Sequence, residues 1–178
     1  MKKLILITLS LLFVFSGCAP APADLSNLSE TYTTVVSMPY RQVIGKDIKT
    51  PKKEMGNITF DEVKGYYISD KTIMEFTPYF AADDKDIIRI VGFETVKKVD
   101  ESIVSYIRGI QNVIMSYYGN VKIDPEITKR VTAINDISMC KDGESYKEAW
   151  EFEGFPLEYM VDFKDGNAYI KIQYDRSL

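Results

Sequence analysis

Residues 149–175 read AWEFEGFPLEYMVDFKDGNAYIKIQYD and contain two tight-turn signals. Asp165-Gly166 is a strong signal for a two-residue hairpin turn, and Glu153-Gly154 marks another turn before it. With both turns in place, the apolar side chains of three consecutive strands fall on one side of a sheet, and a one-residue slip in either turn would break that agreement. The opposed apolar pairs are Phe152–Phe155, Trp150–Leu157, Leu157–Tyr174, Tyr159–Ile172, Val161–Ile170 and Phe163–Ala168. The stretch therefore predicts a C-terminal three-stranded meander.

Glu148 is the exception on this apolar face. The register places it opposite Tyr159, on the same side as the apolar pairs. A desolvated carboxylate at such a position would be a functional clue. We expect instead that Glu148 lies at the sheet edge, close to solvent.

Residues 100–118 have a helical period. Isoleucines recur there at spacings of three and four, which predicts an amphipathic helix with one apolar stripe. Asp100 is the expected N-cap, Gly119 the expected C-terminal end, and Gln111 is expected to fall largely outside the stripe. Because the apolar face of the meander must be covered, we expect this helix to cover it. The stripe consists of Ile103, Ile107, Ile110, Ile114 and Tyr117.

The remaining segments of the chain predict more strands and a shorter helix. β-branched and aromatic residues favour strands at 31–36, 58–60, 65–68, 72–77 and 87–93, with a short helical turn as the alternative at 61–64. Asp124-Pro125 is a plausible start for a second helix, since Asp suits the cap and Pro the first turn. Together these elements predict an α+β fold with antiparallel sheet, formed by residues 31–178 as one globular domain.

Composition excludes several kinds of chemistry. The chain has no histidine, which removes Ser-His-Asp and Cys-His catalysis and imidazole metal sites. Its formal net charge is −4, and an acidic domain repels phosphate backbones. We therefore expect no nucleic-acid partner, no cofactor, no metal site and no recognisable catalytic residue.

The first residues have the layout of a secretory signal. Lys2 and Lys3 form a positive start, Leu4 to Phe15 is an apolar run, and small residues lead to Cys18. The run is shorter than the about 20 residues that span a bilayer. Residues 1–17 are therefore predicted to be a cleaved signal peptide.

The segment Phe15-Ser16-Gly17-Cys18 resembles the lipobox of bacterial lipoproteins, with Phe15 where that class usually has Leu. The resemblance implies that Cys18 receives a diacylglyceryl group and becomes the first residue of the mature chain. Two acyl chains anchor a protein stably, whereas one does so only marginally. The implied location is the extracytoplasmic face of the cell membrane or of an outer membrane. Residues 19–30 contain two prolines and are predicted to be a spacer between the lipid and the domain.

Cys140 and an acidic run are the other candidate sites. Cys140 is the only other cysteine, so a lipidated Cys18 leaves it without a disulfide partner, and we expect a small buried side chain. Asp83-Asp84-Lys85-Asp86 offers oxygen ligands for Ca²⁺ but lacks the Asp-x-Asp-x-Asp-Gly pattern of a calcium loop. We expect this run to be a solvated loop.

Two classes of function remain open. The first is a non-catalytic binding or envelope-support module that contacts the membrane through the lipid on Cys18 and recognises a protein or glycan of the cell envelope. The alternative is an extracytoplasmic hydrolase that uses a pair of carboxylates across a cleft. The carboxylates that raise this alternative lie near Trp150 and are Glu148, Glu151, Glu153 and Glu158.

The lipid anchor is testable by labelling cells with palmitate. We expect the label on the wild-type chain and on a Cys140→Ala variant, and none on Cys18→Ala, because the acyl groups depend on the Cys18 sulfur. Mass spectrometry of the mature N-terminus should find a lipid-modified Cys18. An unmodified Cys18, or label retained by Cys18→Ala, would show that the anchor is wrong.

Overall fold

The computed structural model describes residues 32–49, 55–119, 121 and 124–177. The predicted signal peptide, Cys18 and the spacer up to residue 30 lie outside the described residues, so their assignment stays a prediction. Among the described helices, none is both long enough and apolar enough to cross a bilayer.

The described residues form one sheet of seven antiparallel strands. The helices lie in segments of the chain that are separate from the strands, so the fold is α+β. The spatial order is β1-β2-β3-β4-β7-β6-β5, which places β1 and β5 at the two edges. The strands are β1 (Ile58–Asp61), β2 (Tyr66–Ser69), β3 (Thr77–Ala82), β4 (Ile88–Lys98), β5 (Ser145–Phe152), β6 (Phe155–Lys164) and β7 (Asn167–Asp175).

The strand pairing confirms the register predicted for β5, β6 and β7. Every opposed pair expected from the two turns is observed, including Glu148 opposite Tyr159. Both turns have positive φ at their two central residues, namely 51° and 81° at Glu153-Gly154 and 53° and 71° at Asp165-Gly166. This is the turn geometry that matches the right-handed twist of a hairpin.

Buried side chains of the helices pack with buried side chains of the strands in one core. α1 comprises residues 32–36 and α2 spans Ile103–Tyr118. The Tyr159 hydroxyl donates to the Ile107 carbonyl at 3.0 Å, and the Trp150 indole N–H donates to the Gly119 carbonyl at 3.2 Å. These bonds satisfy the polar tips of two buried aromatic side chains against the backbone of α2 and of the residue that ends it.

The N-terminus of α2 differs from the expected cap. The helix begins at Ile103 and its N-cap position is Ser102, which makes no side-chain cap. The Asp100 carboxylate accepts from the Ser102 N–H at 2.9 Å, so it stabilises the turn before the helix. Gly119 ends the helix with φ of 80°, as the sequence predicts.

The strand predicted at 31–36 is wrong, because residues 32–36 are helical. Tyr32, Val35 and Val36 recur at helical spacing and are all buried. Burial of this stripe against the core outweighs the β propensity of the individual residues, which is a weak preference.

The strand predicted at 72–77 is also wrong. The strand in this region is β3, which begins at Thr77 and contains Pro78. β2 pairs with β3 only at Tyr79 and Phe80, so Pro78, which has no N–H to donate, lies outside the paired part of that edge.

The helix predicted from Asp124 does not form. Asp124 accepts from the Glu126 N–H at 2.9 Å in a local turn. Between residues 124 and 134, all of which the structure describes, the helical residues are those of a 3₁₀ turn at Val131–Ala133. The chain here runs beside the edge strand β5, where the Lys147 N–H donates to the Lys129 carbonyl at 2.9 Å. The Lys129 carbonyl thus accepts from one N–H at the edge of β5, whereas in a helix that carbonyl would accept from a residue of the helix itself.

The opposite face of the sheet contains a close approach at Gly92. Gly92 pairs with Tyr79 across β3 and β4, and a Cβ on Gly92 would lie 2.2 Å from the Tyr79 ring. The Tyr79 hydroxyl continues across the sheet and donates to Gln173 at 2.6 Å. The ring therefore lies where a side chain at position 92 would be.

Gly92→Ala should lower the free energy of unfolding by about 1–3 kcal/mol, the usual cost of overpacking. The added methyl group would displace the Tyr79 ring and its bond to Gln173. Denaturant titration would measure the change. In a Tyr79→Ala background the same substitution should cost much less, and an equal cost in both backgrounds would contradict the proposed clash.

Candidate binding cleft

A cleft of about 540 Å³ lies beside the edge strand β5. It is larger than two other concave sites of about 340 and 320 Å³. One side comes from residues 128–133 and the other from residues 138–146. Its polar lining includes Lys129, Arg130, Thr132, Lys141, Glu144 and Tyr146.

Contacts with the core fix both sides of this cleft. Val131 and Ile134 are fully buried, and they hold the first side on the core. On the second side, the Tyr146 hydroxyl donates to the Met139 carbonyl at 3.0 Å, and its ring packs edge-on against Phe163. Burial, and secondly the nearby Glu144 carboxylate, raise the pKa of Tyr146, so its hydroxyl stays a donor at neutral pH.

Glu148 lies directly behind the cleft and is 0% exposed. This corrects the expectation of a solvent-near edge position, because residues 128–133 cover that part of β5. The carboxylate accepts hydrogen bonds from the Gln111 side-chain amide and from the Thr132 N–H, the latter at 3.2 Å. Its Oε1 also forms an ion pair with Arg130 Nε at 3.6 Å.

Glu148 thus joins three parts of the structure: β5, α2 and the wall of the cleft. Arg108 on α2 adds a second link, since its guanidinium donates to the Thr132 carbonyl at 3.1 Å. A buried ion pair is seldom more stabilising than apolar packing, so burial of a carboxylate is poor evidence for a gain in stability. Its clear effect here is to orient Arg130 and the backbone at Thr132.

Gln111, like Glu148, is more buried than the sequence predicts. It was expected largely outside the stripe of α2 but is 0% exposed. Its amide N–H₂ donates to Glu148, while its carbonyl oxygen is buried and has no hydrogen-bond partner among the residues that the structure describes. The signal was available, because Gln111 lies four residues after Ile107 and three before Ile114.

The charges that line the cleft are mostly positive. Lys129 is paired with Glu144, whose hydrogen bond raises the pKa of the lysine. Arg130 is paired with Glu148, and its side chain is 38% exposed. Lys141 lines the cleft and forms no ion pair within the described residues. Arg130 and Lys141 were not predicted as site residues, because no sequence motif distinguishes a lysine or arginine that lines a concave site from other surface cations.

Cys140 is a free, buried cysteine, as the sequence predicts. Burial, together with the negative charge of Asp136, raises the pKa of its thiol. The thiolate is the nucleophilic form of cysteine, so this environment disfavours reactivity.

Two carboxylates of the acidic run at 83–86, those of Asp83 and Asp86, contact other groups of the protein. Asp83 accepts from the Ile87 and Lys85 N–H groups and pairs with Arg89, and these contacts lower its pKa. Asp86 is paired with Lys49. Within the part of the chain that the structure describes, no group of three or more metal-ligating side chains is found.

Two of the four glutamates near Trp150, Glu148 and Glu158, lie on opposite faces of the sheet. Glu148 is on the covered face of the sheet, whereas Glu158 is on the open face, where it contacts Lys147 and Gln173. Glu153 is at the turn and pairs with Arg41 at 3.4 Å. The sheet itself therefore separates the carboxylates of Glu148 and Glu158.

Comparisons with models of protein families, with curated proteins and with solved structures find no match for this chain.

Replacing Glu148 should reveal its role as a shared acceptor. Glu148→Met should lower the free energy of unfolding by roughly 1–3 kcal/mol, because the buried donors of Gln111 and Thr132 lose their acceptor. Adding Gln111→Met should recover part of this loss, since one orphaned donor is removed with its partner. Chemical denaturation would measure both, with the exposed Glu62→Met as a control. Strictly additive effects of the two substitutions would contradict the contact.

Proposed function

We propose that this chain is a membrane-anchored extracytoplasmic lipoprotein whose folded part is a non-catalytic binding module. The lipid on Cys18 is its contact with the membrane, and residues 19–30 are the spacer. In this proposal α2 is the cover of the meander, and the cleft beside β5 is the binding site for a component of the cell envelope.

The observation that carries the binding proposal is the cleft itself. Polar and charged groups from two segments converge on a concave site of about 540 Å³, within the usual size range of small-molecule pockets. One wall is held from behind by the buried carboxylate of Glu148. A preformed wall favours binding because less side-chain freedom is lost when a ligand arrives.

The carboxylate-based hydrolase receives less support. Glycoside hydrolysis needs two carboxyl groups on opposite sides of one bond. Among the described residues that line this cleft, Glu144 is the one carboxylate, and it is paired with Lys129. Glu148 faces Arg130 and Gln111 from the protein interior, where a substrate has no access.

Native mass spectrometry would test the binding proposal. The mature protein is incubated in mild detergent with an extract of its own cell envelope, and bound small molecules or glycans are read as added mass. Ala133→Trp fills the cleft, since Ala133 is part of its lining. Val63→Trp adds the same side chain at the exposed turn after β1, at the other edge of the sheet.

We expect added mass on the wild type and on Val63→Trp, and none on Ala133→Trp. The same adducts on all three proteins would show that the cleft is not the site. No adduct on any of them would remove the support for a binding module of this kind.

A further inference from the structure

We infer that the cleft beside β5 recognises an oxyanion, the carboxylate or phosphate group of a small polar molecule, through Arg130 and Lys141. Glu148 and Gln111 act as positioning residues for Arg130. The inference rests on the proposed binding function and adds the chemical class of the ligand.

The lining of the cleft is mainly positive, whereas the chain as a whole has a negative net charge. The protein has a formal net charge of −4, yet the described lining of the cleft holds one carboxylate, Glu144, and three cations, Lys129, Arg130 and Lys141. Lys129 is balanced by Glu144, and Arg130 is balanced from behind by the buried Glu148, so the net positive charge of the lining comes from Lys141, while Arg130 keeps donors beyond its ion pair. Concave sites lined by one sign of charge concentrate ligands of the opposite sign.

The ion pair between Arg130 and Glu148 leaves part of the guanidinium group available to a ligand. Its contact with Glu148 is made through Nε, from the protein side, while 38% of its side chain remains exposed. A guanidinium has five N–H donors, so donors on the Nη atoms remain beyond that contact. These donors form the planar fork that matches a carboxylate or a phosphate with two parallel hydrogen bonds.

The buried network explains why Glu148 is retained. Gln111 and the Thr132 N–H both donate to this carboxylate, so its position is fixed from α2 and from the cleft wall. Arg130 is then oriented by a group that cannot move without breaking buried hydrogen bonds. An arginine that is already oriented loses less freedom when it binds a ligand.

The second side of the cleft supplies complementary groups. Lys141 contributes an ammonium group with no ion-pair partner among the described residues, and Ser138, a hydroxyl donor, lines the same side. An oxyanion between Arg130 and Lys141 would be contacted by cations from both walls. A neutral or cationic ligand would leave Lys141 without a counter-charge.

NMR titration of the mature protein with inorganic phosphate, and separately with acetate, would test the inference at constant ionic strength. We expect saturable shifts of amide signals within residues 128–146, with a Kd on the order of 1 mM for such small probes. Arg130→Gln and Lys141→Gln should each weaken binding by about tenfold, the effect of losing one charge-assisted hydrogen bond. Lys98→Gln, an exposed lysine of β4, should leave the Kd unchanged.

A spectroscopic readout separates positioning from a merely structural role. The Nε–H signal of Arg130 should shift when Glu148→Gln removes the charge that faces it, and phosphate or acetate should no longer shift it to the wild-type endpoint. Glu148→Gln should also weaken binding while thermal unfolding shows that the fold is retained. An Arg130 Nε–H signal that does not respond to Glu148→Gln would overturn the positioning role.

Two results would overturn the oxyanion site. One is the absence of saturable shifts with both probes; the other is equal binding by Arg130→Gln and the wild type. Saturation by only one probe would identify its group, phosphate or carboxylate, as the ligand chemistry. A neutral envelope ligand found by mass spectrometry, with both probes failing, would overturn this inference and leave the binding module standing.

Discussion

The register of β5, β6 and β7 is the constraint on which the rest of the structure depends. Two tight turns with positive φ at both central residues hold these strands in one alignment. Because side chains alternate along a strand, that alignment places a row of aromatic and aliphatic residues on a single face. A shift by one residue would turn the row to solvent and bring charged residues such as Glu158 and Lys171 into the core.

The same register places one carboxylate on the apolar face. Glu148 is opposite Tyr159, so it has to be buried with whatever covers that part of β5. The cover includes residues 128–133, whose Arg130 and Thr132 supply a counter-charge and a hydrogen-bond donor. The cleft wall is thus a consequence of satisfying a buried charge, which connects the packing of the core with the proposed binding site.

The two faces of the sheet are stabilised by different kinds of contact. On the covered face, the polar tips of Tyr159 and Trp150 are satisfied by carbonyl groups of α2 and Gly119, so large aromatic residues are buried without unpaired donors. On the other face, Lys171 lies over the rings of Tyr66 and Tyr79, and Glu94 joins Lys64 to Tyr66. Within the described residues, contacts among polar and aromatic side chains maintain that face.

The parts of the fold that could be predicted depend on interactions between residues that are close in sequence. Turn residues and strict alternation act over a few neighbouring positions, so the register at 145–175 was readable from the sequence. Residues 32–36 and 124–134 took forms other than those predicted, because their conformation follows from what they bury and which strand edge they accompany. The burial of Glu148, the inward position of Gln111 and the presence of Arg130 and Lys141 in one cleft also required the tertiary structure, since each depends on which segments become neighbours when the chain is folded.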